Sequence, residues 1–120
     1  MLIQVIGLAG AGKTTGIREY LLRNRGVDYY DIADSEGPEK DATFLRLIAD
    51  HYGRYVIAES ICGVDIESTV IQVVQAEEGP YSNMRGLSKE YISRLRSLMI
   101  KPDYIVVGST QLNKKLYDLI

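Results

Sequence analysis

The chain has 120 residues, 46% of them hydrophobic and 25% charged, with a formal net charge of −2. That is enough for one globular domain, 1–120, and too short for two. The charge balance gives no overall basic footprint, which argues against nucleic acid and anionic membrane surfaces as partners.

Cys62 is the only cysteine, so an internal disulfide is excluded. No apolar run approaches the roughly 18 residues of a membrane span. No leader-like segment stands ahead of the first apolar run. The expectation is a cytoplasmic protein.

Leu2, Ile3, Val5 and Ile6 form a short apolar run that reads as a buried strand. Gly7-Leu8-Ala9-Gly10-Ala11-Gly12-Lys13-Thr14-Thr15 follows and fits GxxxxGK(S/T). Ile17, Leu21 and Leu22 then recur at helical spacing. Strand, glycine-rich loop and helix in this order make a phosphate-binding loop. Its glycines let backbone N–H groups converge on phosphate oxygens, and the helix adds the positive end of its dipole. Gly7 and Ala9 to Thr15 are the expected nucleotide contacts. Lys13 reaches the β- and γ-phosphates, and Thr14 offers its hydroxyl to Mg²⁺.

Asn24-Arg25-Gly26 stops the helix, and 27–32 reads as a second strand. Asp34-Ser35-Glu36-Gly37-Pro38 is a polar turn, and 39–52 reads as a helix with Ala42, Leu45, Ile48 and Ala49 apolar. A third strand, 55–59, closes on Glu59. Asp65 then caps an expected helix over 66–76, with Val70, Ile71, Val73 and Val74 inward. The longest loop signal is 77–87; Ser88 opens a helix to about Ile100, which Lys101-Pro102-Asp103 breaks. A fourth strand at 104–107 and a last helix at 110–119 complete the chain. The alternation predicts an α/β fold of three layers, α/β/α, around a short, mostly parallel sheet of about four strands. Ligands of such sheets bind beyond the C-terminal strand ends, where 7–15, 34–38, 59–63 and 108–110 should gather.

Glu59 is the strongest candidate outside the loop. A carboxylate there can hold a Mg²⁺-bound water or accept a proton from an attacking hydroxyl. Asp34 and Glu36 stand at the same edge, but turns carry such residues for their own reasons. Arg85, with Tyr81 and Asn83 nearby in the long loop, is the candidate clamp on a transferring phosphoryl group. Arg46, Arg54, Arg94 and Arg96 read as solvated. His51 lacks a second ligand at zinc spacing, and Cys62 lacks an activating partner. Asn113-Lys114-Lys115 departs from the guanine-reading NKxD element at Leu116 and lies on a helix, which excludes a GTPase reading.

Gly7-x-x-Gly10-x-Gly12-Lys13-Thr14-Thr15 resembles the tight GxxGxGK(S/T) loop of nucleoside and nucleotide kinases, thymidylate kinase especially. The stretch from Tyr55 to Ser60 is similar to their third strand, which ends in an acid and commonly an arginine; here the next residue is Ser60. Lys101-Pro102-Asp103, running into 104–107, resembles the strand before their lid. The resemblance implies ATP and Mg²⁺ as ligands, Lys13 and Glu59 as catalytic groups, and Thr14 and Glu59 at the metal, with Arg85, another basic residue or a second chain standing in for the family's lid arginines. It also implies that the family's arginine-bearing lid and fifth strand are missing, since the chain ends soon after 104–107.

The expected activity is transfer of the γ-phosphoryl of Mg-ATP to a nucleoside, nucleotide or similar small acceptor. The alternatives are an ATPase or nucleotide-responsive subunit acting on a macromolecular partner, and a non-catalytic binder. A short sheet with an open edge leads to the expectation of a homodimer or larger assembly.

Overall fold

Leu2–Ile6 (β1) is buried at every position, the pattern of a strand covered on both faces of a parallel sheet. The computed structural model describes residues 1–32, 38–52, 55–75 and 88–120. After β1 come Lys13–Arg23 (α1), Asp28–Asp31 (β2), Pro38–Tyr52 (α2), Val56–Ser60 (β3), Thr69–Val74 (β4), Lys89–Leu98 (α3), Tyr104–Val107 (β5) and Gly108–Leu119 (α4). The strands form one parallel sheet in the order β2-β3-β1-β4-β5. Among the described residues no helix is long and apolar enough to cross a membrane.

Because side chains alternate along a strand, β1 feeds two separate cores. Ile3 and Val5 join Ile57, Ile71, Val73 and Val106, and are covered by Ile17 and Tyr20 of α1 and by Leu112 and Leu116 of α4. Leu2 points the other way, with Val56, Ala58 and Val64, under Leu45 and Ile48 of α2. Leu22 is exposed at 77%, so Tyr20 rather than Leu22 carries the inward stripe of α1. Gly16 makes the α1–α4 contact close: a Cβ there would lie 2.8 Å from Leu112 Cδ2.

Two expectations change. The segment read as a helix over 66–76 contains β4 instead, and the sheet has five strands among the described residues rather than about four. The reason is β-branching. Thr69, Val70, Ile71, Val73 and Val74 are stiff at χ1 and favour an extended chain. Buried on alternate sides, they fit a strand between two covered faces as well as they fit one helix face. The strand at 104–107 is therefore the fifth of the described strands, not the fourth. Ser88 does open α3 as expected: its Oγ accepts the Tyr91 N–H at 3.1 Å.

The crossover from β3 to β4 passes over β1 with only residues 61–68 and no helix, where parallel strands usually need a longer connection. Its backbone cannot pair with the sheet beneath, so a side chain from the sheet pairs with it. Gln4 is fully buried; its Nε2 donates to Val64 O at 2.8 Å and to Ser68 Oγ at 2.8 Å, and its Oε1 accepts the Val64 N–H at 2.8 Å. One amide thus imitates a neighbouring strand.

Gln4→Leu removes this partner and leaves a buried N–H and C=O unpaired. The expected loss is at least about 2 kcal/mol in urea unfolding. A loss within about 0.5 kcal/mol, the scale of a neutral surface change, would contradict this role for Gln4.

Candidate functional site

The parallel register brings the ends of β1, β2 and β3 to one edge, with Ile6 paired to Ser60 and Asp31 to Glu59. The loop 7–12 leaves β1 there and enters α1 at Lys13. Two of its glycines are sterically required. Gly7 takes φ 151°, and a Cβ on it would collide with Val73 O. Gly12 caps α1 in the left-handed conformation at φ 99°, and a Cβ there would lie 2.9 Å from Ser109 N, at the start of α4. Within the loop, Ala11 N–H bonds to Leu8 O at 3.2 Å. The first helical N–H to close on the loop is that of Gly16, to Gly12 O at 3.0 Å. The N–H groups of Lys13, Thr14 and Thr15 therefore have no intrahelical acceptor and stand at the positive end of the helix. Ala9, Gly10 and Thr15 are exposed, and Ala11 is buried. This is a cradle for an anion.

Lys13 is 7% exposed, with its ammonium folded inward. Nζ donates to Gly7 O and, at 3.2 Å, to Ser60 O. Burial pushes the Lys13 pKa below its usual value; the negative charges of Glu59 and Asp31 work against that shift. Thr14 is the next residue, and its Oγ1 lies 2.9 Å from both Oε1 and Oε2 of Glu59. Glu59 is 6% exposed and also accepts a hydrogen bond from Tyr29 OH, at 3.2 Å to Oε1.

The sequence-derived residues of the loop and Glu59 thus meet at one point. Thr14 and Glu59 present only hard oxygen atoms, a donor set that suits Mg²⁺. Among the described residues no three His, Cys, Asp or Glu gather to hold a metal alone. Magnesium at a nucleotide needs only one or two protein groups, since phosphates and water supply the rest.

Other candidates fall elsewhere. Arg85, Tyr81, Asn83, Asp34, Glu36 and Arg54 lie outside the described residues, as does the side chain of His51. Cys62 is half-buried, its Sγ is 3.5 Å from Leu95 O, and burial pushes its thiol pKa up, the opposite of an activated nucleophile. Asn113 Nδ2 donates to Gly16 O at 3.3 Å, so it ties α4 to α1 and reads no base. Lys115 Nζ stands 4.5 Å from the centre of the Tyr104 ring.

Two contributors escaped the sequence reading. Asp31 ends β2 in register with Glu59 on the side that faces α1, and Tyr29 is two residues back on the same face. The signal was present in Asp28-Tyr29-Tyr30-Asp31, a strand that ends in an acid as β3 does. Arg96, read as a solvated helix residue, lines a cleft of about 60 Å³ with Leu8, Ala9, Ala11, Gln72 and Met99 beside the loop. A much larger cavity, about 670 Å³, is lined by Leu2, Arg46, Asp50, Glu67 and Thr69. Leu2 and Thr69 begin their strands, so that cavity lies at the opposite edge from the loop. The C-terminal strand ends are the binding edge of such sheets, and the loop stands at that edge while the larger cavity does not.

No protein-family model matches the chain. Among solved structures it is similar to shikimate kinase from Aquifex aeolicus vf5, with a TM-score of 0.56 and 16% identity over 99% of this chain and 96% of that one. At this identity the likeness is one of fold. The five-stranded parallel sheet with its flanking helices is the P-loop kinase fold, matched along the whole chain.

The Tyr29–Glu59 contact has a spectroscopic signature. Burial, then the charge of Glu59, pushes the Tyr29 pKa up to about 12, with Asp31 adding to it and Arg18 opposing it. Between the ordinary value of about 10 and the raised one, the unfolded chain has lost a proton that the folded chain keeps. This contribution to stability is complete below about 10 and is lost as pH rises through the folded value. Subtracting the Tyr29→Phe tyrosinate titration from that of the intact chain should leave one transition near 12, and Glu59→Gln should move it down. A Tyr29 transition near 10 in the intact chain would contradict the contact.

Proposed function

We propose that the protein is a P-loop phosphotransferase that moves the γ-phosphoryl of Mg-ATP to the hydroxyl or phosphate oxygen of a nucleoside, nucleotide or similar small acceptor. The observation that carries this reading is the meeting of Lys13, Thr14 and Glu59 at the mouth of an anion cradle. The kinase fold supports it.

The geometry supports the following roles. Backbone N–H groups of Gly10, Gly12, Lys13 and Thr14 take the phosphates, and the Lys13 ammonium leaves its carbonyl partners for the β- and γ-oxygens. Thr14 directly, and Glu59 through water, would hold Mg²⁺, which would neutralise charge on those oxygens. An acceptor oxygen attacks the γ-phosphorus, the bond to the β–γ bridging oxygen breaks, and ADP leaves. Where the acceptor is a hydroxyl, its proton passes toward Glu59. Little covalent work falls to the protein; positioning and charge stabilisation supply the rate. Arg85 is proposed as the cation that closes over the transferring group, from the sequence that joins β4 to α3.

The test is ADP release from Mg-ATP across a panel of nucleosides, nucleoside monophosphates and, because of the structural neighbour, shikimate. One class should raise turnover well above the acceptor-free rate. Lys13→Ala and Glu59→Gln should each lower kcat/KM roughly 10²–10³-fold. Hydrolysis that ignores every small acceptor and responds to a macromolecule would replace this reading with an ATPase. ATP binding without turnover would leave a binding protein.

A further inference from the structure

Glu59 has two anchors from different elements, and they divide its work. Its carboxylate is nearly sealed from solvent, so each oxygen depends on donors that the fold provides. Thr14 stands within 2.9 Å of both oxygens, yet a hydroxyl has one proton and serves one of them at a time. Tyr29 donates only to Oε1. With Thr14 on Oε2 and Tyr29 on Oε1, helix α1 and strand β2 grip the carboxylate from two sides and stop its rotation. The remaining lone pairs then keep a fixed direction.

The sequence sets up this grip through register. Tyr29 pairs with Ile57 and Asp31 with Glu59, so the Tyr29 ring reaches diagonally along the same face to the next inward residue of β3. That ring packs against the core under α1, so its position does not depend on the hydroxyl. The hydroxyl is what hydrogen-bonds Tyr29 to Glu59.

We infer that Tyr29 is a positioning residue for the metal function of this site: its hydroxyl fixes the Glu59 carboxylate so that the lone pairs left over by Thr14 and Tyr29 face a Mg²⁺-bound water. The inference rests on the nucleotide-site reading above and extends it to a residue that never touches the nucleotide. Groups that orient a ligand-holding carboxylate act on metal affinity while leaving phosphate contacts alone.

Calorimetric titration of ATP at a series of Mg²⁺ concentrations tests this without requiring turnover. Tyr29→Phe keeps the packed ring. It should raise the Mg²⁺ concentration that half-maximally enhances ATP binding by roughly 10-fold, and leave metal-free ATP affinity within about 2-fold. In a Glu59→Gln background the same substitution should add nothing further, because the two residues act as one unit. A structural role alone predicts equal loss of ATP affinity with and without metal, and an undiminished effect in the Glu59→Gln background. Either result, or a Mg²⁺ dependence identical to the intact chain, overturns the inference while the nucleotide site stands. Failure of the intact chain to bind ATP at any Mg²⁺ concentration overturns the site reading and this inference together. A Tyr29→Phe chain that does not fold would itself contradict the claim that only the hydroxyl matters.

Discussion

Burying the Lys13 ammonium constrains the whole binding edge. An ammonium this far from solvent must be met by acceptors or give up its proton. Here two backbone carbonyls, Gly7 O and Ser60 O, meet it from the ends of β1 and β3. They can do so only because those strands are neighbours in register, Ile6 against Ser60. They are also neutral acceptors, so the positive charge is solvated without being cancelled. Glu59 and Asp31 favour the charge through space, and burial opposes it. The site is thus electrostatically positive at the lysine and negative a few ångströms away, an arrangement suited to a phosphate on one side and a divalent cation on the other.

The rest of the fold can be understood as holding that edge in place. Gly12 lets the start of α4 come against the loop, and Gly16 lets α4 lie close along α1. The loop is therefore backed by a packed helix pair rather than by solvent. On the opposite face, α2 packs over β3 and the bare crossover 61–68 lies over β1, fastened by Gln4. That crossover runs on from Ser60, the last residue of β3, past the loop, and Gly7 N–H bonds Ile61 O at 3.2 Å. An amide in the middle of β1 thus helps fix the carbonyl on which the lysine rests.

What was legible in the sequence follows the strength of local signals. The glycine-rich loop is written in one short stretch, with Gly7, Gly10 and Gly12 in conformations that favour glycine, and it joins β1 to α1 as the pattern predicts. Glu59 is legible because an acid at the end of an apolar strand conflicts with burial unless something uses it. Asp31 and Tyr29 were not legible in the same way. Their strand is short and half-exposed, so its end could not be located to the residue, and the acids after it drew attention instead. The segment around Val70 to Val74 misled for a different reason: a β-branched run buried on both sides fits either periodicity, and only its seat beside β1 makes it a strand. The role of Gln4 is a tertiary fact. Nothing local distinguishes a buried glutamine that mimics a strand from a polar residue facing water.

We propose that Lys13, Thr14 and Glu59 form a site arranged for phosphate and magnesium and, without ligand, satisfied by the protein's own carbonyls and hydroxyls. The most direct measurement is a crystal structure with Mg²⁺ and a non-hydrolysable ATP analogue. Lys13 Nζ is expected to leave Gly7 O and Ser60 O for the β- and γ-phosphate oxygens, with the metal against Thr14 Oγ1 and a Glu59-bound water. A nucleotide seated away from the loop, or bound there with Lys13 still on its two carbonyls, would contradict it.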